Sequence, residues 1–246
     1  LNTIWFILIV VILAGYAILD GFDFGVGILH LLHKTDEDRR ISINSIGPLW
    51  DGNEVWLVVG GGALFAAFPE VYATVFSGFY NAFIILLMML LFRGVAIEFR
   101  SKRDDPKWRK GWDIFFSAGS FGAALLFGVA LGNLARGIPL DEKKNVMSGF
   151  IDLLNPYSIL VGLTAVSLLT LHGAIFLIMK TEGEMRNNVV KIIKKLIFAF
   201  ISLYIITTAS TFIYQPHLLD VFFKNVWLVI IPVITLLLVL NIPREI

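Results

Sequence analysis

The chain has 246 residues, 57% hydrophobic and only 16% charged, with a mean hydropathy of +0.81. Ordinary soluble domains carry about 25% charge, so this composition excludes a water-soluble globule and a disordered chain. The net charge of +1 offers nothing to a nucleic acid, and the absence of Cys excludes disulfides, thiolate metal sites, iron–sulfur clusters and covalent c-type haem.

A helix crosses the hydrocarbon core in about 20 residues. Runs of that kind cover, in order, residues 3–32, 44–68, 72–99, 112–134, 157–179, 196–214 and 226–242. The expected class is therefore all-α integral membrane: a polytopic helical bundle of about seven transmembrane segments. The first run has no basic stretch before it and no small-residue cleavage site after it, so it reads as a retained helix. The second contains Pro48, Asp51, Glu54 and Gly60-Gly61-Gly62. It reads either as a full span or as a short broken helix enclosed by protein, with a tight turn at Pro69-Glu70. Basic residues concentrate at Arg100–Lys110 and between Lys180 and Lys195, which the positive-inside rule assigns to the cytoplasm. Alternation then predicts the N-terminus outside. The tryptophans, Trp5 to Trp227, lie mostly near span ends and read as interface anchors. Residues 1–135 read as an N-terminal four-helix bundle with buried acids, and 157–246 as apolar helices of an incomplete second bundle.

Ionisable groups in a span are costly unless paired or hydrated, which makes them functional candidates. They fall in the first three runs: Asp20, Asp23, Asp51, Glu54, Arg93 and Glu98. Asp20 and Asp23 share a helix face at i and i+3, and two close carboxylates in low dielectric do not both ionise cheaply. That suits a proton relay; pairing with an arginine or capping of a broken helix is the structural alternative. Asp51 and Glu54 repeat the spacing within Trp50-Asp51-Gly52-Asn53-Glu54-Val55-Trp56. Asp51 sits where it would collect cytoplasmic protons, the alternative being a capping box. Arg93 needs a carboxylate from the first or second span. Glu98 and Asp113 read as solvated interface residues. Gly21-x-x-x-Gly25, Gly60-Gly61-Gly62 and Gly128-x-x-x-Gly132 read as packing glycines. His30, His33, His172 and His217 show no spacing that suits a bis-histidine haem. On residues alone, a proton-coupled secondary transporter and a subunit of a redox complex both stand.

Three strings carry a resemblance to subunit II of the cytochrome bd quinol oxidases. They are Asp20-Gly21-Phe22-Asp23-Phe24-Gly25-Val26-Gly27; Asp38-Arg39-Arg40 followed by Ile43-Asn44-Ser45-Ile46-Gly47-Pro48 and Trp50-Asp51-Gly52-Asn53-Glu54-Val55-Trp56-Leu57; and Gly61-Gly62-Ala63-Leu64-Phe65-Ala66-Ala67-Phe68-Pro69 with Tyr72 and Ala73. Weaker matches include Phe92-Arg93, Arg100-Ser101-Lys102 and Gly132-Asn133-Leu134. The resemblance implies a multi-pass protein of a prokaryotic plasma membrane, paired with a homologous subunit I. That subunit would hold two b-type haems and haem d. The complex would oxidise quinol and reduce dioxygen to water, taking protons from the cytoplasm. It also implies that this chain binds no haem itself, and that Asp51, then Asp20 and Asp23, line a proton route. Glu54 is a position where the family also carries Gln. Trp56 would border an oxygen route, and Arg93 would be structural. A small extra subunit and a structural quinone belong to the same set of expectations; ubiquinol and menaquinol are not distinguished. The family runs to further spans after the seventh, so the chain reads as C-terminally truncated or naturally short. Because the acids crowd into one half, the transporter alternative is the weaker one.

Overall fold

The computed structural model describes residues 1–220 and 224–245. Residues 221–223, in the connection ahead of the seventh run, and Ile246, at the chain end, lie outside the described residues. The helices are α1 (Asn2–Leu19), α2 (Gly21–Leu29), α3 (Asp36–Ile46), α4 (Trp50–Ala67), α5 (Pro69–Gly78), α6 (Tyr80–Phe99), α7 (Pro106–Arg136), α8 (Phe150–Leu153), α9 (Pro156–Lys180), α10 (Gly183–Tyr214) and α11 (Ile230–Glu245). Five stretches among the described residues are long and apolar enough to cross a bilayer: Asn2–Leu32, Tyr80–Lys102, Pro106–Arg136, Pro156–Lys180 and Gly183–Tyr214.

Local chemistry sets the boundaries. Thr35, Asp105 and Asn155 cap α3, α7 and α9 by accepting backbone N–H bonds from Asp38, Lys107 and Ser158 at 3.0, 3.0 and 2.9 Å. Pro106 and Pro156 occupy the first helical positions, where a missing N–H costs nothing. Three hydropathy runs are redrawn by the structure. The run at 44–68 starts inside α3, and Gly47-Pro48 separate that helix from α4. The run at 72–99 is two helices, α5 and α6, broken at Phe79. The supposed loop before 196 is helical: α10 starts at Gly183 and buries Met185, Val189, Ile193 and Ile197 at four-residue spacing, while Lys191 and Lys194 stay exposed. Hydropathy averaging misses such an amphipathic extension because its polar face cancels its apolar one.

α9 is the central element and packs against α2, α7 and α10. Small residues make this possible. A side chain at Gly25 would strike the Leu169 carbonyl and the Gly173 backbone, and one at Gly173 would strike Gly25 and Val26. Further along α9, Gly128 of α7 meets Gly162, whose Cα lies 2.6 Å from where a Gly128 Cβ would stand; at Gly132 the Ser158 Cα lies 2.7 Å away. Without a hydrophobic drive between helices in lipid, such backbone approach is what associates them. The triplet on α4 divides. Gly60 packs on Leu13, whereas Gly61 and Gly62 meet nothing within 4 Å among the described residues, so the packing expectation fails for those two. Leu8, Leu91, Phe198 and Phe212 are exposed, as lipid- or partner-facing side chains are.

Candidate functional site: a buried acid cluster and an ion network

Arg93, wholly buried in the middle of α6, gathers the first cluster. Its Nη2 lies 2.8 Å from Asp20 Oδ1 and donates to Glu54 Oε1 at 2.5 Å. The guanidinium also stands 4.2 Å over the Phe24 ring, a cation–π contact. Asp20 sits at the junction of α1 and α2, and Glu54 one turn into α4. The expected carboxylate partners for Arg93 are therefore the first- and second-run acids. Asn53 closes the arrangement: its amide donates to Asp23 Oδ2 at 2.8 Å and to the Leu19 carbonyl at 3.0 Å. One side chain thus satisfies an orphan carbonyl at the end of α1 and holds the second aspartate. Buried Asp20 and partly exposed Glu54 thus share one guanidinium, and Asn53 holds Asp23 beside them.

Asp51 stands apart, exposed on the first turn of α4. Trp56 is 38% exposed and packs against Gly15, where a Cβ would come 2.7 Å from its ring.

A second network lies at the end of the bundle that carries the basic 100–110 segment. Asp113 is 1% exposed, so the expectation of a solvated interface residue is corrected. Its Oδ1 accepts from His30 Nε2 at 2.6 Å and from Arg100 Nε at 2.5 Å, and its Oδ2 accepts from Arg39 at 3.0 Å. Arg100 reaches on to Asp36 at 2.6 Å, and Arg109 joins Asp36 at 2.7 Å to Asp104 at 2.5 Å. Against some burial, which raises it, the guanidinium of Arg100 and then that of Arg109 hold the Asp36 carboxyl below its usual range. Burial, helped by the neighbouring His30, pushes the His33 imidazole down to about 4.

Several buried polar atoms have no hydrogen-bond partner among the described residues: Tyr16 Oη, Asp23 Oδ1, His30 Nδ1, His33 Nε2 and Ser120 Oγ among them. Each such orphan costs about 1–3 kcal/mol unless water reaches it.

The imidazoles do not fit a haem. His30 spends Nε2 on Asp113 and packs edge-on against Phe116 at 5.0 Å. His172 stands beside Gly21 and Phe22, nine residues from His30 along the facing helix, and His217 lies in the Pro216–Leu218 turn. No group of three or more His, Cys, Asp or Glu among the described residues is placed to hold a metal ion.

Residues 1–245 match the family described as cytochrome bd terminal oxidase subunit II. The chain belongs to that family. Cytochrome bd-I ubiquinol oxidase subunit 2 of Escherichia coli K12 is 48% identical over 190 residues, which is 75% of this chain and 50% of the relative. Cytochrome bd ubiquinol oxidase subunit 2 of Bacillus subtilis 168 is 42% identical over 219 residues, 89% of this chain and 64% of the relative. The chain thus spans only part of the length of the curated relatives it matches. A bd oxidase chain from Geobacillus thermodenitrificans superposes with a TM-score of 0.75 at 19% identity, over 97% of this chain and 76% of that one. That likeness shows that the two chains share a fold.

Proposed function

We propose that this chain is the non-catalytic subunit II of a bd-type terminal oxidase, whose complex oxidises quinol and reduces dioxygen to water. The observation that carries the reading is the match of this family along residues 1–245. The poor haem fit of its own histidines agrees, since the haems, two b-type and one d, are then held by subunit I. The relatives give the transporter alternative no support. The chain would cross a bacterial plasma membrane seven times, α4 and α11 included, with its N-terminus outside. Residues 1–135 and 157–246 would form two bundles joined along α2, α7 and α9. An isoprenoid quinone tail would suit the open apolar groove of about 830 Å³ bordered by Thr164, Phe200, Tyr204, Thr207 and Leu238. A small extra subunit is compatible with the exposed apolar helix faces.

This chain's own contribution is to move protons and guide oxygen. Asp51 collects a proton at the exposed end of α4. Glu54, three residues on, passes it to the Arg93 cluster, where Asp20 and Asp23 store it. Arg93 holds the carboxyls close without itself giving up a proton. Trp56, on the outer side of α1, borders an apolar path for dioxygen.

The test is affinity purification in mild detergent with a visible spectrum, followed by oxygen consumption of the Asp51→Asn complex. A haem-bearing larger partner with a red chlorin band is expected, together with a drop in rate of about a hundredfold at matched haem content, the lower end of what a lost proton-transfer group costs. A colourless lone chain would overturn the subunit assignment. Unchanged oxygen consumption would remove Asp51 from the route.

A further inference from the structure

A partly enclosed cavity of about 220 Å³ opens between the turn that follows α2 and the amphipathic start of α10. The first apolar stretch ends at Leu32, and the apolar run of α10 begins only at Leu196, so the cavity lies where both elements leave hydrocarbon. This is the end that carries the Asp113 network: Arg39, which reaches Asp113, also donates to the His33 carbonyl at 3.1 Å. Part of the lining is apolar, from Leu29 and Leu32 on one element and Val189 and Ile192 on the other. Leu32 is 62% exposed and continues that apolar wall outward.

The rest of the lining is polar. Lys34, Asp38 and Lys191 contribute to it, and none of the three makes an ion pair among the described residues. Lys191 is tethered, its Nζ donating to Asn188 Oδ1 at 3.3 Å. Two lysines against one carboxylate leave a surplus of one positive charge. His33 lines the same space. Its Nε2 is buried without a partner among the described residues, which leaves Nδ1 as the nitrogen that can bond. Burial, helped by the neighbouring His30, keeps this imidazole neutral near pH 7, so it brings an N–H and no charge. A free anion has no use for the Leu, Val and Ile wall. A doubly charged phosphate monoester would exceed the one surplus positive charge and meet the Asp38 carboxylate. A phosphodiester carries a single negative charge, and in a phospholipid it is joined to a glycerol body and acyl chains that an apolar wall can take. An ethanolamine head brings its own cation and leaves the surplus unanswered.

We propose that this cavity binds the head of an anionic phospholipid, singly charged and hydroxyl-bearing, of the phosphatidylglycerol type. The phosphodiester oxygens accept from the Lys34 and Lys191 ammonium groups and from the His33 imidazole. A hydroxyl of the head donates to Asp38, and the acyl chains leave over Leu32. A bound lipid thus bridges the turn after α2 and the start of α10. The site is separate from the Arg93 cluster and rests on neither the proton-route reading nor the assignment to an oxidase, only on the chain spanning a bilayer.

The test is native mass spectrometry of the chain purified in mild detergent, alone or with its partner. The sample is delipidated and then titrated with phosphatidylglycerol, with phosphatidylethanolamine of the same acyl chains, or with phosphatidylglycerol in the presence of inorganic phosphate. Phosphatidylglycerol is expected to stay bound at concentrations where phosphatidylethanolamine is lost. Lys34→Gln combined with Lys191→Gln is expected to weaken it about thirtyfold, the joint effect of two lysines at a membrane surface. Lys102→Gln combined with Lys110→Gln removes the same charge from the basic segment outside the cavity and is expected to change nothing. Ile192→Trp, which fills the cavity and keeps every charge, is expected to exclude the lipid as well. Equal weakening in the two double variants would mean that lipid gathers on basic surface at large, and overturns the site; so does retention of the lipid by Ile192→Trp. Displacement of the lipid by inorganic phosphate would make this a free-anion site, and equal binding of phosphatidylethanolamine would overturn the selection by charge. Neither haem nor turnover enters the readout, so a failed oxidase assay leaves this result standing, and the reverse also holds.

Discussion

Removing the Arg93 guanidinium would leave the fully buried Asp20 without its cation, next to the partly exposed Glu54. Breaking one side of such a buried pair costs about 3–5 kcal/mol. Arg93→Leu should therefore lower the thermal midpoint of the complex in detergent markedly, and Asp20→Asn added to it should recover part of the loss. Equal midpoints for Arg93→Leu and wild type would show that the pair does not hold α1, α4 and α6 together. The demand of Arg93 for a carboxylate was legible in the sequence, because a cation deep in an apolar run has few other solutions. Asp113 was not. Its position near a span end suggested solvation, and its partners His30, Arg39 and Arg100 come from three separate segments that only the fold brings together. Asn53 lay in plain view as a polar residue, but its use as a clasp on Asp23 depends on where α1 ends.

At the scale of elements, the α2–α9 crossing is the tightest seam. Gly173→Ala would push a methyl into the backbone of Gly25 and Val26. Over-packing of that kind costs about 1–3 kcal/mol, more where both sides are backbone. The expected outcome is a lower midpoint and poorer recovery of assembled complex, while Gly62→Ala, facing open space, should change neither; equal losses for both would contradict the seam. The segment leading into α3 should respond to acid. His33 is held neutral down to about 4, below the roughly 6.5 of a free imidazole, so its contribution is fully present above about 6.5 and fades as pH falls toward 4. Asp36 has a lowered folded value too, and its contribution fades only below the ordinary aspartate range. Amide protection across Asp36–Ile46, taken relative to the intrinsic exchange rate at each pH, should therefore fall between pH 7 and 5; flat protection over that interval would show that His33 does not anchor the segment. The small-residue pattern of α2 and α7 was readable from spacing. The separate existence of α3 and the early start of α10 were not, because both are amphipathic and hydropathy windows blur them.

For the whole molecule, composition together with apolar runs of bilayer length pointed to the all-helical membrane class, and the Trp50–Trp56 and Asp20–Gly27 strings pointed to the family that residues 1–245 match. Composition could not say which helices meet, since lipid-facing and helix-facing apolar residues look alike in a sequence. The Gly25–Gly173 contact has a consequence for biogenesis. A ribosome delivers α2 to the membrane long before α9 exists, so the aspartate-bearing helix must wait in the bilayer with one side uncovered. Asn53 of α4 and Arg93 of α6 reach the membrane before α9 and can already hold Asp23 and Asp20, but the small-residue face of α2 at Gly25 has no cover until α9 is released from the translocon. The nascent subunit thus passes through a stage in which this seam meets lipid or an insertase, and a membrane protease surveying for open helix faces would find the chain at its most vulnerable then.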